Sequence, residues 1–357
     1  MKNGTAQSSR NPNIELCRFI AAMVIALHHT EKIGGHGFYN AYRIAPGGWI
    51  FVEFFFILSG YFMTKNFTRS SINENENIEK IVLVYTGRKL LKILPYAAVG
   101  IIIDSVAQIG CGDIEKADVW NLIAELPVHF LLLKGINVLR FDINAPLWYL
   151  TEILIAMPLL VLFCLHYRNF YKYIASWLFP LVIYTAIFTA YGNIQYWGKY
   201  WSINCMMRAV AGLMLGSVTF YFSEYLKTKL FSNRERVLLT ILEVMLFVHL
   251  VALAFLGECL NYAVPCVLFF VIFLSIAFCE QEQMQSIIPR QVVCLGQIST
   301  ALYCLHRPVF DLIRWLRDGV TFFDKVQIAI IASLVLSMLM VLIINSYFNP
   351  IKTNFRK

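Results

Sequence analysis

Charged residues are scarce in this sequence of 357 residues, because Asp, Glu, Lys and Arg together make up only 15%. Soluble globular domains usually contain about 25% charged residues. Hydrophobic residues account for 59% of the chain, and its mean hydropathy is strongly positive. A water-soluble fold of this composition would leave large apolar patches in contact with water. The composition therefore excludes an ordinary soluble enzyme and predicts an integral membrane protein.

Cysteine motifs for metal binding or redox chemistry are also lacking. The nine cysteines are scattered without a single C-x-x-C pair, which indicates neither a zinc site nor a dithiol centre. A net charge of +8 is also typical of proteins that bind nucleic acid, but no arginine-rich arm or RNA-binding motif supports that interpretation. In a membrane protein this excess is expected from Lys and Arg in cytoplasmic loops. We therefore predict no bound metal and no nucleic-acid partner.

Long apolar runs dominate the chain, and a transmembrane helix needs about 17–25 such residues. Ten runs of this kind occur at residues 14–29, 48–64, 93–110, 148–165, 174–191, 204–222, 237–256, 263–279, 294–312 and 326–346. An eleventh run, 120–133, is shorter and contains Glu125, Pro127 and His129, which predicts an interfacial or re-entrant segment. The sequence thus predicts an all-α polytopic membrane helix bundle of about ten transmembrane helices, in which the bilayer is the main partner.

The basic residues predict the orientation of this bundle. With ten spans and a cytoplasmic N-terminus, the cytoplasmic segments contain 18 Lys and Arg and the external ones contain 9, which is the bias expected of inner loops. Residues 1–13 form a short polar cytoplasmic segment without the features of a secretory signal. We therefore expect both termini to be cytoplasmic. The whole chain, 1–357, reads as one membrane domain with no appended soluble domain, and its oligomeric state is left open.

The first predicted span carries Arg18 and the adjacent pair His28 and His29. Eleven residues separate Arg18 from His29, which corresponds to about 1100° of helical rotation and returns to within roughly 20° of the same face. The rise is about 16.5 Å, so the two side chains mark opposite ends of one polar stripe. Charged residues inside a membrane are costly and usually functional. The alternative is that Arg18 pairs with Glu15 one turn earlier and that the histidines lie at the interface.

The second span adds a buried acid, Glu53, and the run from Phe55 to Gly60, which reads Phe-Phe-Ile-Leu-Ser-Gly. The Ser59-Gly60 pair permits close helix approach. With the first span, this segment resembles acyltransferase family 3, the integral membrane O-acyltransferases. That family has an Arg, ten residues and a His on its first helix, followed by a Phe-Phe-x-Leu-Ser-Gly run on its second.

Further motifs of the same family follow in order along nearly the whole chain. They are a basic residue after Ser-Gly (Lys65), a basic cluster leading into proline (Arg88, Lys89, Lys92 and Pro95), Trp-x-Leu followed by an acid (Trp148, Leu150 and Glu152), and Ser-x-x-x-Tyr-x-x-His (Ser299, Tyr303 and His306). The chain departs from the family at Glu53, where an aspartate is usual.

The resemblance implies roles for these residues. His29 is the implied general base for a hydroxyl acceptor, which suits a histidine, and Arg18 and Glu53 are counted with it as catalytic candidates. The implied donor is acetyl-CoA or another acyl-CoA, with no permanently bound cofactor. Lys65, Arg88 and Lys89 are the implied donor-binding cations, although lipid headgroups are an equal alternative for Arg88 and Lys89.

Four residues form the implied acceptor-binding set, namely Trp148, Glu152, Tyr303 and His306. The acceptor is expected to be a hydroxyl of a cell-envelope polysaccharide or glycolipid, and the location a bacterial plasma membrane. Two other functions stay open, a carrier for a small molecule such as an amino acid, and an assembly partner of envelope synthesis without catalysis. Paired half-helices in matching halves would favour a transporter, and the sequence shows no such symmetry.

The remaining intramembrane polar residues are interpreted as structural. Arg208 is expected to pair with a carboxylate such as Glu152 or Glu243. His28 and His29 are adjacent and point about 100° apart on a helix, which argues against a shared metal site.

Overall fold

The computed structural model describes residues 11–34, 43–69, 77–136, 139–195, 201–283, 290–316 and 319–354. Within these ranges the regular structure is entirely helical, which confirms the predicted all-α bundle. The α-helices are α1 (Pro12–His28), α2 (Phe51–Arg69), α3 (Ile78–Cys111), α4 (Val119–Phe130), α5 (Trp148–His166), α6 (Arg168–Phe170), α7 (Ser176–Tyr191), α8 (Trp201–Lys227), α9 (Asn233–Leu256), α10 (Ala263–Gln283), α11 (Leu295–Leu316) and α12 (Phe322–Asn354). Each of the ten predicted spans overlaps one of these helices.

Local sequence sets the helix ends. Asn11 caps α1 by accepting hydrogen bonds from the backbone of Asn13 and Ile14, and Pro12 occupies the first turn, where its missing N–H is harmless. Ser232 begins α9 with a reciprocal capping box. Gly257 ends α9 at a φ of 78°, a left-handed conformation that glycine adopts without strain.

Within the described ranges, eight helical segments are long and apolar enough to cross a membrane. They are Gly48–Thr68, Ile78–Cys111, Ala145–His166, Arg168–Tyr191, Trp201–Lys227, Asn233–Leu256, Ala263–Glu280 and Phe322–Ser346. The two other predicted spans are α1, which has 17 residues, and α11, which carries Arg307, Asp311 and Arg314. Both are largely buried, and they contact each other and further helices of the bundle. Because protein rather than lipid surrounds them, they tolerate polar side chains.

Helices α2 and α8 pack unusually closely, and they form the centre of the bundle. A Cβ placed on Gly60 would lie 2.0 Å from the carbonyl oxygen of Leu213, and one on Gly216 would lie 2.1 Å from that of Ile57. No other residue fits at these two positions without moving a backbone. The close approach predicted from the Ser59-Gly60 pair is therefore present.

The basic segment 65–92 differs from the predicted loop. Helix α2 continues to Arg69 and α3 begins at Ile78, with residues 70–76 outside the described ranges. Helix α3 has 34 residues, which corresponds to about 51 Å and exceeds the roughly 30 Å of the hydrocarbon core. The basic residues of its first turns thus lie on a helix that is longer than the hydrocarbon core is thick.

The eleventh apolar run folds as α4, a helix of 12 residues that is too short to cross a membrane. Its Trp120 is 78% exposed, whereas His129 is buried on the protein side. This one-sided burial agrees with the predicted interfacial segment.

Candidate active site

Two histidines from opposite ends of the chain form the centre of the candidate site. His29 follows the last residue of α1, and its Nδ1 lies 2.9 Å from the carbonyl oxygen of Ile25. His306, on α11, has its own Nδ1 3.0 Å from the carbonyl oxygen of Leu302. Nε2 of His306 lies 3.3 Å from Nδ1 of His29. Each ring is therefore held by the carbonyl one helical turn before it.

These contacts define the tautomers. A carbonyl oxygen only accepts hydrogen bonds, so Nδ1 of each ring carries the hydrogen and donates it. In the neutral rings Nε2 is then the basic nitrogen. Nε2 of His306 accepts from Nδ1 of His29, which shares its hydrogen between this ring and Ile25. Nε2 of His29 makes no hydrogen bond to the described part of the chain, so it is the nitrogen available to take a proton.

His28 has a different environment from its neighbour. It is 4% exposed, its Nδ1 donates to the carbonyl of Ala45 at 2.9 Å, and its Cβ packs against Gly48. His29 is only partly buried. The structure therefore places His28 as a connection between α1 and the segment before α2.

A cavity of about 350 Å³ lies toward the other end of α1. Three cations line it, namely Arg18, Lys89 and Lys92. Arg18 donates from Nη1 to Glu15 at 2.7 Å and from Nη2 to Thr300 at 3.2 Å. The predicted Glu15 pair is therefore present, and Arg18 also faces the cavity. Its side chain is 21% exposed, so the guanidinium remains accessible from that space.

Aromatic side chains connect this cavity with the histidines. Phe55, Tyr149 and Tyr303 all line the cavity, and their ring centroids lie 5.4–6.3 Å apart. The ring of Tyr303 lies 6.2 Å from that of His306, one turn further along α11. The hydroxyl of Tyr303 donates to the carbonyl of Pro146 at 2.6 Å, which fixes the ring. The cationic cavity and the histidine pair are therefore neighbouring compartments that share Tyr303.

The predicted donor-binding cations separate into two groups. Lys89 lines the cavity, and its Nζ lies 3.4 Å from the sulfur of Met157. Arg88 is exposed on another face of α3, and Lys65 lies over the Tyr61 ring at 5.8 Å, outside the lining of this cavity. Lys92 lines the cavity although it was not among the predicted site residues. Its spacing of three residues from Lys89 on a helix was the signal that indicates a shared face.

Glu53 is fully buried and lies in an ion pair rather than beside the histidines. Its Oε1 accepts from Arg208 Nη2 at 2.6 Å and from Nε at 2.7 Å, and its Oε2 accepts from the Tyr184 hydroxyl at 2.6 Å. Arg208 therefore pairs with a carboxylate, as expected, but the partner is Glu53 and not Glu152 or Glu243. Both oxygens of Glu53 are occupied, and the geometry assigns it a positioning role between α2, α7 and α8.

Two predicted acceptor residues lie close to this ion pair. The guanidinium of Arg208 lies 5.5 Å from the ring centroid of Trp148 and 5.8 Å from that of Trp49. Glu152 is 1% exposed, and its Oε2 has no hydrogen-bond partner in the described ranges. The structure thus brings Tyr303 and His306 to His29 and places Trp148 and Glu152 in a second polar cluster around Arg208.

A charged cluster around Arg307 lies next to His306. Arg307 donates from Nη2 to Asp142 at 3.0 Å, and Lys134 also contacts this carboxylate. Burial opposes the ionisation of Asp142, but the adjacent Arg307 and Lys134 outweigh it and hold the pKa of Asp142 below its ordinary value. These contacts join the loop before α5 to α11 and so help to fix His306.

Comparison with known protein families gave one match. The model of acyltransferase family 3, described as an acyltransferase domain, matches residues 11–345. No curated protein and no solved structure showed a significant match.

Proposed function

We propose that this chain, which belongs to acyltransferase family 3, is an O-acyltransferase that uses an acyl-CoA donor, in the first place acetyl-CoA. The proposed acceptor is a hydroxyl of a cell-envelope polysaccharide or glycolipid, and the proposed location is a bacterial plasma membrane. One observation carries the proposal, the tethered His29–His306 pair beside a cavity lined by three cations.

The proposed chemical step uses the free Nε2 of His29. This nitrogen takes the proton of the acceptor hydroxyl while the oxygen attacks the thioester carbonyl carbon. When the tetrahedral intermediate collapses, the carbon–sulfur bond breaks and the new ester remains on the acceptor. The thiolate of coenzyme A leaves and takes the proton from the His29 imidazolium, which restores the neutral base.

His306 supports this step as a positioning residue. When His29 gains its proton, Nδ1–H remains directed at the Ile25 carbonyl and at Nε2 of His306. Because the second nitrogen of His306 donates to Leu302, its Nε2 is free to accept. Two acceptors therefore stabilise the imidazolium without any change of tautomer, and hydrogen bonds to a charged group are worth about 1.5–3 kcal/mol.

The cavity supports the donor assignment. Cations in a low-dielectric space bind phosphate groups and stabilise the negative charge that develops on a thioester oxygen. Arg18, Lys89 and Lys92 supply three such charges, and Glu15 offsets one of them. The aromatic wall at Tyr149 and Tyr303 leads from these cations toward His306. Donor and base thus approach the reacting atoms from opposite ends of α1.

Mass spectrometry of envelope glycans and glycolipids tests the proposal in cells. Cells that produce the wild-type protein should contain an O-acylated glycan or glycolipid that is absent from cells producing His29→Gln at the same membrane level. His166→Gln is a matched control, since Nδ1 of His166 makes the same contact to a preceding carbonyl, at 3.0 Å from Leu162, on an exposed helix end. Identical acylation in all three strains would contradict the proposal, and gene-dependent uptake of a small molecule without acylation would favour a carrier.

A further inference from the structure

A second and larger cavity, of about 670 Å³, lies where α2, α5 and α8 end together with the turn into α7. Its wall includes Phe67, Arg168, Lys172, Tyr221 and Tyr225. The segment 65–92 and the residues around Arg168 belong to the same, basic side of the predicted topology. The cavity therefore opens on the predicted cytoplasmic side, where the acyl-CoA of the proposed function is made.

The cations of this cavity are available to a ligand. In the described part of the chain, neither Arg168 nor Lys172 has a carboxylate within ion-pair distance. The acid in the wall, Glu224, is held by Lys227 at 2.7 Å. Arg168 and Lys172 are four residues apart, so they lie on neighbouring turns and face the same space. Two cations of this kind suit phosphate groups, which arginine binds with two hydrogen bonds.

Aromatic rings stand beside the cations. Nζ of Lys172 lies 5.4 Å from the ring centroid of Tyr221 and 4.8 Å from that of Tyr173. Tyr225 completes the wall one turn along α8 and stacks on Phe222 with an interplanar angle of 13°. Rings beside phosphate-binding cations form a platform for a nucleobase, and stacking of a base on an aromatic side chain is sequence-tolerant and favourable.

The backbone around Lys172 departs from a regular α-helix. Residues Tyr171–Ala175 form one π-helical turn, a distortion that often occurs at functional sites. The hydroxyl of Tyr171 lies 2.7 Å from Ser217 on α8, and Ser217 lies 2.7 Å from Thr64 on α2. All three side chains of this network are buried, so the turn is fixed to the centre of the bundle.

This cavity adjoins the one that contains Arg18. The ring of Phe67, in the wall of the larger cavity, lies 4.9 Å from the ring of Tyr85, which lines the smaller one. An edge-to-face aromatic contact therefore joins the walls of the two cationic cavities.

We propose that the larger cavity binds the nucleotide end of acyl-CoA, with its phosphates on Arg168 and Lys172 and its adenine on the Tyr221–Tyr225 wall. The pantetheine arm then passes the Phe67–Tyr85 contact and delivers the thioester to the Arg18 cavity. This inference rests on the proposed function and adds a specificity site for the donor. The shared chemistry is that of a phosphate-bearing ligand, which a lipid headgroup also offers.

Binding measurements on the purified full-length protein in detergent test the site. Wild type should bind acetyl-CoA about tenfold or more tightly than acetyl-pantetheine, which lacks the nucleotide, and adenosine 3′,5′-bisphosphate should compete. Arg168→Glu and Lys172→Glu should each remove most of this preference, and Arg168→Lys should retain part of it. Arg234→Glu is the matched control, because Arg234 is exposed on the same predicted side outside both cavities.

Three outcomes would overturn the inference. The first is an unchanged preference in both charge-reversed variants, and the second is the same loss in the Arg234 control. The third is an effect that appears only with anionic lipid vesicles and never with the bisphosphate, which would assign the cavity to a lipid headgroup. Failure of the proposed function gives a different result. The wild-type protein would then transfer no acetyl group from acetyl-CoA or from acetyl-pantetheine, even if it binds them.

Discussion

His29 and His306 lie 277 positions apart in the chain, yet Nδ1 of one ring is 3.3 Å from Nε2 of the other. Each ring donates to the carbonyl of the preceding helical turn, so the pair has one arrangement of hydrogens. This arrangement leaves Nε2 of His29 without a hydrogen bond to the described residues. In the proposed mechanism, His306 stabilises His29 after proton transfer.

His306→Phe should lower kcat about 10- to 100-fold and leave the KM for the donor nearly unchanged, since one hydrogen bond to the charged form of His29 is lost. His306→Gln, which supplies an acceptor oxygen, should recover part of kcat. Steady-state kinetics measure kcat and KM in both variants, and an equal loss of kcat in the Phe and Gln variants would show that His306 only fills space.

Arg18→Lys should raise the KM for acetyl-CoA about tenfold with a smaller change in kcat. A lysine can replace the contact to Glu15 or the one to Thr300, whereas the guanidinium makes both and still faces the cavity. Arg88→Lys is the matched control, as Arg88 is exposed and lines neither cavity. If the donor KM is the same in wild type and both variants, Arg18 is only the partner of Glu15.

Glu53→Gln should act mainly by lowering the stability of the protein, with little direct effect on the chemical step. Breaking a buried ion pair typically costs 3–5 kcal/mol because the remaining charge is left without a partner. Glu53 and Arg208 are both buried, so the loss applies to either single variant. The double variant Glu53→Gln, Arg208→Gln should lose less than the sum. Thermal unfolding in detergent measures the stability of the three variants. If Glu53→Gln unfolds at the same midpoint as wild type but has no activity, Glu53 takes part in the reaction instead.

Labelling of the two ends of α3 tests the predicted topology. Glu79 and Lys116 are exposed. Glu79 lies in the first turn of α3 and Lys116 lies five residues after its last residue, Cys111, and this helix is long enough to cross the bilayer. On a background without the nine native cysteines, Lys116→Cys should react with an impermeant maleimide in intact cells, whereas Glu79→Cys should react only after lysis. The reverse pattern would invert the orientation and move the Arg18 cavity to the external side.

The sequence predicted the helices well because apolar runs, caps and proline act locally. It was wrong about the segment 65–92, where α3 starts 15 residues before the predicted span at 93. That stretch mixes basic residues with apolar ones such as Leu83 and Leu91. This mixture suits a helix that extends out of the bilayer, but a prediction from hydropathy alone assigns such a polar stretch to a loop.

The candidate site could be predicted only as far as helical geometry extends. The offset of eleven residues distinguished His29 from His28, because both lie on one helix with known angles. The Glu53–Arg208 pair joins positions 155 apart, and no spacing rule relates them. The contact between His306 and His29 was likewise invisible in the sequence, although the family resemblance pointed to both residues.

The most direct measurement is acetyl transfer by purified protein in the presence of acetyl-CoA and an extract of the acceptor glycan, compared between wild type, His29→Gln and His166→Gln. All three proteins should be recovered folded from the membrane. Loss of transfer by at least about 100-fold in His29→Gln, with unchanged transfer in His166→Gln, is predicted, since a positioned base contributes about 10²–10⁴-fold. Equal transfer by His29→Gln and wild type would contradict the assignment of His29 as the base.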